Sequence, residues 1–334
     1  MPHTVIILSL AGESTQAAVC GLGSAGCCGS STGTCESVAP RVPVLICRDA
    51  LREGGSEVEL VTASSDAEID AVIARLDGPP RPDGLTWPAA GGAAPVLVVA
   101  VESDGQLRAV LRRMVRRYAP PPSRRPAELA ASRTLPDLPA IGVLPLDARP
   151  APREGDLADR LGLPRDPRAV AAAVLGGATR RLDLFRTDAG SVTLHGALLG
   201  GVDGDGHAAG WYGRVEIDGT VLTDGQEPVL ACAVANANGY ARLDDLALAP
   251  QADASSGTMT VAVAVPVMVP PRRRSLLPSS RRPELRIEVR RATGRAVSVS
   301  PSADLPYADD GVAGTLTRKR AWWVEPGAWA AFTG

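Results

Sequence analysis

The chain has 334 residues, 45% hydrophobic and 22% charged, a balance that fits a globular protein with room for two cores. Its 35 basic and 37 acidic residues leave a net charge of −2, which excludes a general nucleic-acid binder with its basic surface. Lys319 is the single lysine, so the many arginines express a compositional habit more than a phosphate-binding surface; with aromatics at 3%, the cores must be built from Val, Leu, Ile and Ala.

The first residues, MPHTVIILSL, carry no basic leader before the apolar run and read as a strand over 4–10, not as a signal peptide. The longest apolar run, 261–271, is strand-sized and falls short of the ~20 residues a bilayer-spanning helix needs. A soluble, cytoplasmic protein is expected, with its six cysteines reduced.

Further along, 42–55 is expected to be a helix closing on Gly54, 58–63 a strand, and 65–78 a helix opened by a capping box of Ser65 and Glu68. A Pro/Gly-rich loop (78–95) leads to a strand over 95–101 and a helix over 106–118. A Pro/Arg-rich insert (119–137) then precedes a strand over 140–146. Strand–helix alternation of this kind predicts a parallel, Rossmann-like sheet with crossover helices. After 161–185 the pattern changes to short alternating strands separated by Gly and Asp-Gly turns, which predicts an antiparallel β-sandwich. The expected division is an α/β domain over 1–183 and a β-sandwich domain over 184–319, with 320–334 returning to the first.

Four of the six cysteines crowd into CGLGSAGCCGSSTGTC (20–35). Cys20, Cys27, Cys28 and Cys35 could gather around a soft metal ion, hold an iron–sulfur cluster or form a thiol–disulfide switch, with Cys47 on the following helix. The plain alternative is a Gly/Ser linker in which the cysteines are incidental. The same loop contains a formal GxGxxG at 21–26, but no strand end precedes it and no convincing helix follows, so it is a poor dinucleotide fingerprint. GSSTGT (29–34) is a better phosphate cradle, with Gly29 and Gly33 giving backbone access.

His195 and His207 flank a DGDGH stretch that reads as a polar hairpin tip. The arginine clusters at 112–126 and 270–286 are solvated loops or rest on an anionic membrane surface. Trp322, Trp323 and Trp329 are expected in the core or at a domain interface.

Three longer segments, 141–184, 231–265 and 305–332, carry a resemblance in order and spacing. They run from a strand end into an Asp-Leu strand, from an Asn-rich strand end into an "APQADASSG" turn, and from "DDG" to "EPGAWAAF". Together they resemble the bacterial diacylglycerol kinase and lipid kinase family over roughly 40–334. That resemblance implies a fold of the NAD kinase and diacylglycerol kinase type, ATP with Mg²⁺, and a lipid or small-molecule hydroxyl substrate in the cleft between the domains.

At the family's motifs this sequence departs. Glu102-Ser103-Asp104-Gly105-Gln106 stands in place of GGDGT, so backbone access is reduced and Glu102 is expected to set negative charge where phosphate would sit. Asp147-Ala148 stand where Gly-Thr belongs in GTxND, and five extra residues (150–154) precede Gly155-Asp156. Ser256 replaces the Asp of a DG turn, and Val312 replaces the Glu of a closing DGE. What the resemblance assigns to this chain is nucleotide binding at Asp104, Gly105 and Asp156 and the base position at Asp310. Three readings stay open: an ATP-dependent lipid kinase, a catalytically inactive relative that binds a lipid or partner, and a thiol or soft-metal module built on 20–35. The turn at 102–106 is expected at the C-terminal end of a central parallel strand, facing Asp156 across a cleft.

Overall fold

The protein is described by a computed structural model at residues 4–11, 40–90, 94–129, 131–146, 157–202, 205, 207–243, 246–269 and 284–334. Strands and helices alternate at first: β1 (Thr4–Leu10), α1 (Val42–Glu53), β2 (Glu57–Ala63), α2 (Asp66–Ala74), β3 (Val96–Val101), α3 (Asp104–Tyr118) and β4 (Ala140–Pro145). The short α4 (Leu157–Arg160) and α5 (Pro167–Gly176) follow. The four strands are parallel in the order β4-β3-β1-β2. They are apolar on both faces because helices cover both. Val5 and Ile7 of β1 pack with α1 and α5, while Ile6 and Leu8 pack with α2 and α3, as the alternation of side chains along a strand requires.

Helix ends follow local chemistry. The Ser65 hydroxyl accepts the Glu68 N–H at 3.3 Å, and Glu68 reaches back to the Ser64 N–H at 2.6 Å. α2 stops at Ala74, short of the expected end, because Gly78 turns away to donate to the Trp87 carbonyl at 2.8 Å. α3 starts at Asp104, two residues before the apolar periodicity begins, with Ser103 extended at its N-cap. The Gln106 side chain completes this start by accepting the Glu102 N–H at 2.8 Å.

The rest of the chain is strand: β5 (Thr179–Thr187), β6 (Val192–Thr193), β7 (Gly196–Leu199), β8 (Gly201–Val202), β9 (Ala208–Ala209), β10 (Gly213–Ile217), β11 (Thr220–Asp224) and β12 (Ala231–Ala235). Then come β13 (Tyr240–Leu243), β14 (Leu246–Ala249), β15 (Met259–Val269), β16 (Glu284–Gly294), β17 (Ala296–Pro301), β18 (Leu305–Asp309), β19 (Val312–Leu316) and β20 (Arg320–Phe332). A six-stranded sheet, β16-β15-β12-β7-β18-β19, faces β11, β10, β17 and β20. Leu199, Val234 and Val263 meet Val215, Val299 and Trp322 in the buried layer between them.

That second layer continues into the parallel sheet, and β20 is the reason. Its 320–323 end pairs with β17, Ala330 and Ala331 pair in parallel with Ala140 and Ile141 of β4, and β5 runs beside it from Thr179 to Thr187. Position 183 therefore lies inside a strand that belongs to both halves. The Asp183 carboxylate is buried there and accepts the N–H of Gly327 at 2.7 Å and of Gly257 at 2.6 Å. Gly327 sits at φ +54° in the bulge of β20, so one side chain pins the bulge and the Ser256-Gly257 turn together. Trp322 and Trp329 are buried as core residues. Among the described residues no helix is long and apolar enough to cross a membrane.

Candidate functional site

A cavity of about 660 Å³ opens between the α/β layer and the six-stranded sheet. One wall is the turn that ends β3, Glu102 to Gly105; opposite lie His195, Tyr240, Arg242, the Asp310-Gly311 turn between β18 and β19 and the first residues of β19, with α4 at the side. β3 has β1 and β4 as its parallel neighbours, so the turn stands at the C-terminal end of a central strand, where open α/β sheets place their ligands. Asp156 lies outside the described residues, as do Gly29, Gly33, Cys20, Cys27, Cys28 and Cys35. The neighbour of Asp156 is informative nonetheless: the Leu157 N–H, opening α4, donates to both Asp104 oxygens at 3.2 and 3.1 Å.

The charge of Glu102 is not left facing the cavity alone. Arg41, the residue that opens α1, is ion-paired with it. The carboxylate expected at the turn is present, and it has Arg41 as its partner. Sequence reading missed Arg41 because its only local signal is Pro43 at the helix start, and its partner is 61 positions away (102 minus 41).

Gly105 is pressed against the opposite loop. A Cβ there would meet Val312 Cγ2 at 2.9 Å. That loop is held by Asp310, which adopts φ +50° and has no exposed side-chain surface. Its carboxylate accepts three backbone N–H groups, from Leu194 at 2.9 Å, His195 at 2.7 Å and Gly196 at 3.1 Å. Burial pushes Asp310 up to about 7, with Asp309 adding to the rise, while those donors and Arg108 pull it back. Asp309 is likewise pushed up to about 6 by burial, against the pull of Arg108.

Arg108, from the second turn of α3, joins the two walls. It donates to the Val192 carbonyl at 2.7 Å, the Ser191 hydroxyl at 2.8 Å and Asp309 Oδ2 at 2.8 Å. Nothing in the stretch QLRAVL marks Arg108 for this role, because its partners are supplied by β18 and by Ser191 and Val192 at the start of β6.

His195, expected at the flank of a polar hairpin, is carried into the cleft by the corner between β6 and β7. Its ring is edge-on to Tyr240 with centroids 4.6 Å apart, and Nδ1 is 3.5 Å from Asp104 Oδ2. Nε2 is buried without a hydrogen-bond partner.

Among the described residues no three His, Cys, Asp or Glu side chains converge to hold a metal ion. The two described cysteines, Cys47 and Cys232, are core residues whose thiols are pushed up to about 12 by burial.

The sequence matches no family model and no curated protein. Solved structures do match. Two described as diacylglycerol kinases from Bacillus anthracis strain Sterne align over 100% of this chain and 98% of theirs, at 10% identity with a TM-score of 0.60 and at 9% with 0.56. The fold is that of the bacterial diacylglycerol kinase structures. An α/β layer followed by a β-rich layer, expected from the resemblance, is what the chain forms, and the likeness runs end to end.

Proposed function

We propose that this protein is a divergent lipid-kinase-type phosphotransferase, moving the γ-phosphoryl group of ATP to a hydroxyl of a lipid or related small molecule. The observation that carries the reading is the placement of the 102–105 turn at the end of β3, opening α3 onto a cavity of about 660 Å³. The first N–H groups of a helix lack acceptors within it and suit phosphate oxygens. Arg160 and Arg242 line the same cavity, while Val101, Leu107, Leu163 and Leu198 offer apolar surface to a substrate. Phosphoryl transfer depends on positioning and charge neutralisation, which such a lining supplies. In this reading Asp310 shapes the loop facing Gly105, because its oxygens are taken by main-chain donors.

Titration of reduced, metal-stripped protein with ATP–Mg²⁺ tests the first half, and transfer of γ-label to diacylglycerol in mixed micelles the second. Micromolar binding with label in the lipid supports the reading; no binding at millimolar ATP overturns it. One observation favours a second reading. Val312 closes directly on Gly105, which suits a non-catalytic relative that binds lipid without nucleotide. That reading expects the micelles to bind and ATP not to. Metal analysis of untreated protein tests a thiol role for Cys20, Cys27, Cys28 and Cys35, and sedimentation with anionic vesicles tests contact of the arginine clusters with a membrane.

A further inference from the structure

Three carboxylates line the cavity, and each is already engaged. Glu102 is paired with Arg41, Asp104 accepts the Leu157 N–H, and Asp310 accepts three backbone N–H groups. Among the described residues lining the cavity, His195 carries a buried ring nitrogen without a hydrogen-bond partner. Its backbone is fixed on both sides, the N–H donating to Asp310 at 2.7 Å and the carbonyl accepting from Asn236 at 2.9 Å. The side chain is 8% exposed and stands between Asp104 and the Tyr240 ring. A neutral imidazole has one N–H and one lone pair, and the nitrogen beside a carboxylate keeps the proton. Asp104 beside Nδ1 therefore selects the Nδ1–H tautomer and leaves the lone pair on Nε2. A buried acceptor without a donor is costly, and binding-site residues are where such groups are tolerated.

We propose that His195 Nε2 receives the proton of the substrate hydroxyl, with Asp104 as the group that orients the ring. The chemical step rests on the phosphotransfer reading above. The hydroxyl proton passes to Nε2 as the hydroxyl oxygen forms a bond to the γ-phosphorus. The bond from that phosphorus to the bridging oxygen breaks, and its electron pair leaves with ADP. The Asp104 carboxylate balances the imidazolium that results.

The chain has three histidines, His3, His195 and His207, so imidazole nitrogen resonances can be assigned by removing the other two. In ¹⁵N-labelled wild-type protein, His195 is expected as the Nδ1–H tautomer, and its Nε2 signal is expected to move on addition of dioctanoylglycerol. An Nε2–H tautomer, or no movement at saturating lipid, overturns the proposal. In the transfer assay His195→Gln is expected to lower kcat by roughly 10²–10⁴-fold with the KM for ATP nearly unchanged, the range for a lost general base. A variant that keeps wild-type kcat overturns the catalytic step. If the wild type transfers no phosphoryl group yet Nε2 responds to the lipid, the phosphotransfer reading falls and the hydroxyl contact stands.

Discussion

Arg108 and Asp309 form a 2.8 Å ion pair across 201 positions of sequence, joining the helix behind the β3 turn to the loop that faces it. The side chains are 13% and 2% exposed, so the pair is largely withdrawn from water. Replacing one partner of such a pair leaves a charge buried alone, which costs roughly 3–5 kcal/mol. Arg108→Met is expected to destabilise the protein by that amount in urea denaturation, and the double variant Arg108→Met/Asp309→Asn to recover part of it. A loss below about 1 kcal/mol for Arg108→Met, the value of an exposed pair, would show that the two walls are not joined here.

The same loop makes stability depend on pH in an unusual direction. Asp309 and Asp310 are raised from 3.8 to about 6 and about 7 in the fold, chiefly by burial. Their folded values lie above their unfolded ones, so between those limits the folded state holds more protons. The contribution of these two groups to stability is therefore greatest in acid, falls as pH rises from about 4 to about 7, and is level above that. Surface carboxylates held down by arginines, such as Glu59 with Arg75, act in the opposite sense. Comparison with Asp309→Asn cancels them: between about pH 4.5 and about pH 7.5 the wild type is expected to lose on the order of 2 kcal/mol relative to the variant. Parallel pH profiles would refute the assignment.

Gly105 gives a packing test. Glycine is a poor helix former, so alanine in the first turn of α3 would ordinarily help by up to about 1 kcal/mol. Here the added Cβ meets Val312 Cγ2 at 2.9 Å, and valine has little rotamer freedom to yield. Gly105→Ala is expected to destabilise by roughly 1–3 kcal/mol, the usual cost of overpacking. Adding Val312→Ala should restore or exceed wild-type stability in thermal melts. If Gly105→Ala is neutral by itself, the loop is looser than its hydrogen bonds to Asp310 imply.

How much of this was legible depends on sequence distance. The strands β1 to β4 and the helices between them follow from apolar runs and from caps such as Ser65 with Glu68, all within a few residues. The β3 turn was recognisable for the same reason. The continuity of the sheets was not, because it rests on β20 choosing β17 at one end and β4 at the other, pairings that no local pattern encodes. The site shows the same divide. Asp104 and Asp310 stood in quotable motifs, but their uses are set by Leu157, Leu194 and Gly196. The roles of Arg41, Arg108 and His195 carried no local signal; each is defined by a partner more than 60 positions away.

In the phosphotransfer reading, Arg41 decides whether the altered turn can hold phosphate. Its pairing with Glu102 bridges the start of α1 and the end of β3, with Arg41 about half exposed and Glu102 less so. Removing the arginine leaves a carboxylate beside the first turn of α3, where a nucleotide's phosphates would sit. At a separation of several Å and the effective dielectric of a protein surface, like-charge repulsion amounts to about 1–2 kcal/mol after screening. Arg41→Ala is therefore expected to weaken ATP–Mg²⁺ binding about tenfold in calorimetric titration, the equivalent of about 1.4 kcal/mol. Glu102→Gln in that background should restore affinity, and the loss should shrink as salt is raised. If Arg41→Ala binds ATP as the wild type does, the Glu102 carboxylate lies outside the reach of the phosphates, and the glutamate in this turn is an α1 anchor with no bearing on the ligand.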